Sequence, residues 1–304
     1  MSITRRQFIV VSSVALGAVP LRGLLGAQTP AAPPVTKFEA IRRNAGFFSG
    51  RGGTIGWLVN KDAVVVVDTQ FADTARICVD GLKERSSGRV IDLVFNTHHH
   101  GDHTSGNAVF REAAKTLMAQ TRVPELQKQF TAPTAPPVVV ASATFDKTWS
   151  ERMGDERVTA THYGPGHTGG DAIIRFEEAN VVHMGDLLFN ELHPRVDRPG
   201  GASIQNWMKT VTTVAKQFPG DTIYIAGHAK PGLPVTVDRR ALLRQASYFD
   251  AVLSHVRKGL AANQSKEEIV GLAALPGFEG HASSGTVLTI AGVLTAAYEE
   301  LATK

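Results

Sequence analysis

FNTHHHGDHTSGN, from Phe95 to Asn107, sets four histidines and one aspartate within six consecutive positions directly after an apolar run. Side chains alternate along an extended backbone, so His98 and His100 share one side and His99 faces the other. Gly101 admits a tight turn that brings Asp102 and His103 toward a second, neighbouring position. One loop of this kind can serve two adjacent cations.

Around that loop the chain alternates strand and helix signals. Gly53–Val59, the run AVVVVDT from Ala63 and RVIDLVFNT (Arg89–Thr97) read as strands, with Asn60-Lys61-Asp62 as a turn. Four valines without polar alternation suit a strand covered on both faces. Thr74–Arg85, Gly106–Leu117, residues 123–130 and Ile204–Phe218 read as helices. Further strands are expected at Arg157–Tyr163, Asp171–Glu177, Asn180–Met184 and Thr222–His228. Residues 131–145 carry too much proline for an interior element and are expected as a mobile surface loop. Alternating strands and helices favour a layered α/β fold. After Pro234 the chain turns helical. Leu242, Leu243, Ala246, Phe249, Leu253 and Val256 follow a 3.6-residue period, Ser265 with Glu268 forms a capping-box pattern, and a last amphipathic helix is predicted over about 286–301.

Several apolar strands end in a turn residue followed by a side chain able to hold a metal. These ends read FNT-His98, THYGPG-His167, VVHMG-Asp186 and IAG-His228. Loops at strand ends are where α/β folds place their sites, and catalytic zinc takes imidazole nitrogens and carboxylate oxygens while keeping a position open.

HHHGDH fits the HxHxDH signature of the metallo-β-lactamase superfamily, and GPGHTGGD, HMGDLLF and IAGHAKPG resemble its remaining ligand motifs in the expected order. The match covers about residues 40–235. The resemblance implies a four-layer αββα sandwich with a helical C-terminal tail and two zinc ions per chain. His98, His100 and His167 would hold the first, Asp102, His103 and His228 the second, and Asp186 would bridge them. Asp102 is also the expected catalytic proton holder. Asp68, ending the valine strand, matches an acid that orients the histidine loop in this family; Asp171, on the glycine turn after His167, is expected either to do likewise or to cap that turn. His99, His162, His183, His193, His255 and His281 match no ligand position. They are expected at the surface or behind the ligands, His193 being the candidate to line the pocket.

The implied chemistry is attack of a metal-bridging hydroxide on an ester, thioester, lactone or lactam carbonyl, with a small molecule as substrate. Within that resemblance, aspartate at position 186 points to the glyoxalase II-like and exported-hydrolase branch rather than to true β-lactamases, many of which carry cysteine or serine there. A mononuclear iron oxidoreductase like the persulfide dioxygenases, a true β-lactamase and a noncatalytic periplasmic metal- or partner-binding protein are the alternatives.

Thr4-Arg5-Arg6-Gln7-Phe8-Ile9 precedes an apolar stretch to Leu21 that is short for a bilayer span, and Gly26-Ala27 follows. This pattern predicts a twin-arginine signal over residues 1–27, a linker over 28–36, the catalytic domain over 37–235, a helical segment over 236–304, and a periplasmic or otherwise exported protein with no stable membrane association. The signal holds three arginines and no acid, so its removal takes the net charge from +4 to +1. No basic cluster remains that would suit nucleic acid. The single cysteine, Cys78, excludes an internal disulfide and a multi-cysteine metal site.

Overall fold

The computed structural model describes residues 34–302 apart from 133 and 136, so the expected signal lies outside the described residues. One sheet has seven strands in sequence order: β1 (Lys37–Arg42), β2 (Ala45–Ser49), β3 (Ile55–Val59), β4 (Val64–Val67), β5 (Ile91–Asn96), β6 (Ala114–Gln120) and β7 (Ala143–Phe145). Its first four strands form an antiparallel meander, and β4 to β7 run parallel. The second sheet contains β8 (Thr148–Met153), β9 (Glu156–Thr161), β10 (Ile173–Phe176), β11 (Val181–His183), β13 (Ile223–Ile225) and β15 (Thr236–Val237), ordered β15-β13-β11-β10-β9-β8. A short pair, β12 (Phe189–Asn190) with β14 (His228–Ala229), stands apart. The helices are α1 (Ala72–Arg85), α2 (Gly101–Thr104), α3 (Asn107–Ala113), α4 (Arg122–Phe130), α5 (Ile204–Gln217), α6 (Arg239–Ala261), α7 (Lys266–Val270) and α8 (Ile290–Ala302).

The valine strand shows why four layers form. Val64 and Val66 pack with Ala75, Cys78, Val79 and Leu82 of α1, whereas Val65 and Val67 join Phe95 and, from the second sheet, Val158, Ile174 and Val181. Alternate residues thus feed two separate cores, each buried valine contributing about 1.5–3 kcal/mol. On the far side of the second sheet, Val182 and Tyr224 meet Trp207 and Val211 of α5, Phe249 and Leu253 of α6, and Val293 of α8. The layers run helix, sheet, sheet, helix, as the sequence implied.

Some elements differ from expectation. The helix read through Leu117 stops at Ala113, and Ala114–Gln120 forms β6 instead. Its Ala, Lys, Leu, Met and Gln favour a helix locally, but parallel pairing with β5 and burial of Leu117 override that preference. Within the proline-rich stretch, the prolines end at Pro137; beyond them N–H groups are available, and Ala143–Phe145 pairs with β6 as an edge strand. β1, β2 and β8 give no strong pattern and were not anticipated. In the tail, Leu243 is 43% exposed although it fits the period. The last helix begins only at Ile290, because Ser284 and Leu288 exchange backbone hydrogen bonds just before it. The Ser265–Glu268 capping box forms as read.

Candidate metal centre

Strand ends from both sheets meet at one edge. Asp68 follows β4, Thr97 and His98 follow β5, Asp186 follows β11 and His228 opens β14. Backbone bonds stitch this edge together: Thr54 N donates to Gly227 O at 2.9 Å, Gly53 N to Asp102 O at 3.0 Å and Ala172 N to Thr97 O at 2.9 Å. Two glycines are required by close approach. A Cβ on Gly53 would sit 2.1 Å from the His103 ring, and one on Gly227 would sit 2.0 Å from Asp186 Oδ1.

The seven residues singled out as ligands converge in two sets. His98 Nε2 and His167 Nε2 lie 3.1 and 2.9 Å from His100 Nδ1, and Asp186 Oδ2 is 3.9 Å from His98 Nε2 and 3.3 Å from His167 Nε2. Alongside, Asp102 Oδ2 is 3.0 Å from His228 Nε2 and 3.7 Å from His103 Nε2, and the two Nε2 atoms stand 3.4 Å apart. The other oxygen of Asp186, Oδ1, is 3.0 Å from His103 Nε2 and 3.4 Å from His228 Nε2. One carboxylate therefore offers an oxygen to each set.

The outer nitrogens of four rings are tied to acceptors. His103 Nδ1 is 2.8 Å from Asp68 Oδ2, His100 Nε2 is 2.9 Å from Asp197 Oδ2 and His167 Nδ1 is 2.8 Å from Arg195 O. Thr97 donates its backbone N–H to Asp68 Oδ1 and its hydroxyl to Asp68 Oδ2, both at 2.8 Å, so the hydroxyl oxygen accepts from His98 Nδ1 at 3.0 Å. A neutral ring has one N–H, and with it spent outward the inner nitrogen presents a lone pair. Lone pairs facing one another repel, and a cation between them would hold them together. Nitrogens on tetrahedral zinc stand about 3.3 Å apart, from bond lengths of about 2.0–2.1 Å; the spacings here bracket that value. The donor set fits two divalent cations.

Charge agrees with geometry. Burial presses the His98 and His100 rings down and takes His167 to about 3, so these rings are neutral. Burial opposes a charge on His103 most strongly, yet Asp186, Asp68 and Asp102 together raise it well above its usual value. Burial would raise Asp186, but His228 and His103 hold it well below the carboxylate range. These carboxylates stabilise a positive charge among them, which a cation supplies as well as a ring proton.

Asp68 adopts φ +67°, a conformation Asp tolerates better than most residues, and is fully buried. Asp171 accepts from Gly166 N, Thr168 N and Thr168 Oγ1 at 2.6–3.1 Å, which closes the turn carrying His167. Burial, its main influence, pushes that carboxyl up to about 7. His99 turns away from the paired rings, stacks on Phe130 and places Nε2 3.2 Å from Asp197 Oδ2. His183 is buried, with Nε2 3.0 Å from Thr54 O and Nδ1 accepting from Gly185 N. His162, His193 and His255 bind Asp171 O, Tyr248 Oη and Ile269 O, and His281 stacks on Tyr248. His193, buried against Tyr248, does not line the cavity beside His100. That cavity, about 780 Å³, is walled by Phe130, Val138 and Val139 and also by Arg195 and Asp197. Asp197 and Arg195 were missed from sequence, since HPRVDRPGG repeats no motif of the ligand loops; the only signal was an acid inside a proline-glycine loop soon after Asp186. Asp102 and His228 keep 32% and 20% side-chain exposure and mark where the centre meets solvent.

Comparison with known proteins places these observations. Residues 49–228 match the family model described as the metallo-beta-lactamase superfamily. The chain is 24% identical over 199 residues to metallo-beta-lactamase IND-1 of Chryseobacterium indologenes, covering 64% of this chain and 80% of that protein. It is 27% identical over 224 residues to a hydroxyacylglutathione hydrolase of Brucella ovis, covering 67% and 78%. Among solved structures, the inverting sec-alkylsulfatase Pisa1 of Pseudomonas sp. superposes with a TM-score of 0.68 at 16% identity over 88% of this chain; the chain spans only 50% of that protein's length. The chain belongs to the metallo-beta-lactamase superfamily, a hydrolase family, and its His and Asp groups form a centre able to hold metal.

Proposed function

We propose that the protein is a binuclear zinc-dependent hydrolase of ester, thioester, lactone or lactam carbonyls. The observation that carries this reading is Asp186, whose two oxygens face two separate sets of inward lone pairs. Two cations bound there would supply Lewis acidity and lower the pKa of water toward neutrality. The chain's own residues do the rest. Asp68, Asp197, Thr97 and Arg195 O fix ring orientation, so the donor atoms need no rearrangement. Asp102 sits at the solvent opening; burial opposes its ionisation, but His103 and His228 hold it below the usual range, so it stands ionised with Oδ2 toward His228. We assign its Oδ1 the task of holding the proton that water gives up during attack. We further propose that residues 1–27 direct export by the twin-arginine route to the periplasm and that residues 37–235 form the catalytic domain, with residues 236–304, which open with β15, packed on it as a mainly helical segment.

The test is metal analysis of purified protein combined with a thioester, lactone and cephalosporin panel. About two zinc per chain and turnover of at least one substrate class are expected. One iron per chain with oxygen consumption would establish a dioxygenase instead, and zinc binding with no turnover would leave a metal-binding protein.

A further inference from the structure

The segment from Arg195 to Ser203 supplies partners to two rings of the metal centre: Arg195 O to His167 and Asp197 Oδ2 to His100. It is laced to the His167 turn, with Asp197 N donating to His167 O at 3.1 Å, Gly169 N to Gly200 O at 2.8 Å and Ser203 N to Gly166 O at 3.0 Å. Its own anchor comes from about a hundred residues away. Glu300, on α8 and 8% exposed, accepts from Ile204 N at 2.7 Å, Ser203 Oγ at 2.9 Å, Gln205 Nε2 at 3.1 Å and Gln205 N at 3.2 Å. Arg198 Nη1 approaches the same carboxylate at 3.5 Å. The positive end of α5 is thus closed by an acid from the last helix, and that acid also faces the loop that holds Asp197.

We infer that Glu300 is a positioning residue for the His98, His100 and His167 half of the metal centre. It touches no ligand and acts through the Arg198–Ser203 turn, which sets where Asp197 and Arg195 O stand. His103 and His228 draw no partner from this segment: Asp68 orients His103, and His228 faces Asp102. The effect of Glu300 is therefore one-sided, and this inference rests on the binuclear reading above.

The test uses the full chain as Glu300→Ala and Glu300→Gln, with Val293→Ala as a control that loosens α8 in its core while leaving the Glu300 carboxylate in place. Stepwise zinc affinities by chelator competition, and absorption spectra of the cobalt-substituted protein, read the two halves separately. Glu300→Ala should weaken one ion about 10- to 100-fold and leave the other within about threefold. Glu300→Gln should fall between, because its amide turns N–H groups toward N–H donors. Val293→Ala should lower thermal stability and leave both affinities unchanged. Unchanged affinities in both Glu300 variants, or equal loss at both ions, would overturn the inference while leaving the binuclear reading intact. Wild-type protein that binds no metal would overturn both.

Discussion

Replacing Asp68 by Asn changes charge and donor pattern with almost no change of shape. Asp68 is buried at φ +67°, a conformation Asn also adopts, so the backbone has no reason to move. Oδ1 of the new side chain can still accept from Thr97 N. Its amide nitrogen would stand where Oδ2 now receives the Thr97 hydroxyl and His103 Nδ1, both at 2.8 Å. Nδ1 must then accept, which moves the ring proton to Nε2, against Asp186 Oδ1. The inner lone pair of His103 is lost, and with it one ligand of the Asp102, His103 and His228 set. Loss of a charge-assisted hydrogen bond costs about 1.5–3 kcal/mol. At about 1.4 kcal/mol per tenfold, that is about 10- to 100-fold in affinity for the ion of that set. Zinc competition titrations measure it, and nitrogen-15 NMR of His103 reads the tautomer. If both ions bind within about threefold of wild type and His103 keeps its proton on Nδ1, the orienting role of Asp68 is wrong.

Two other perturbations separate structural groups from ligands. Glu156 is 1% exposed; burial, reinforced by the Glu178 carboxylate, raises its pKa from 4.5 to about 7. The folded chain then holds a proton that the unfolded chain releases, so this group's contribution to stability falls as pH rises from about 4.5 to about 7. Glu156→Gln should flatten that part of the curve of melting temperature against pH, whereas parallel curves for variant and parent would refute the assignment. His99→Ala should cost about 1–2 kcal/mol in denaturant unfolding through lost packing on Phe130, with zinc affinity changed less than about threefold; complete loss of metal would mean that His99, not His100, faces the cations.

How much of this was legible depended on how local the cause was. The facing of the histidine loop could be read because His98, His100, Gly101, Asp102 and His103 are neighbours and their directions follow from alternation and one glycine. The valine strand could be read because burial on both faces leaves an unbroken apolar run. β6 could not, since Ala114–Gln120 prefers a helix until β5 is beside it. Asp197 escaped notice because its role is fixed by His100, 97 positions earlier in the chain, and Glu300 because its partners begin 95 positions away. Residues that orient ligands carry no spacing rule of their own, and only the folded chain brings them together.

The central claim is that two cations share Asp186 between two sets of histidines. Anomalous diffraction at the zinc edge, on crystals grown with excess zinc, tests it most directly. The account predicts two peaks, one among His98, His100, His167 and Asp186 Oδ2, the other among Asp102, His103, His228 and Asp186 Oδ1. A single peak, peaks elsewhere, or none would contradict it.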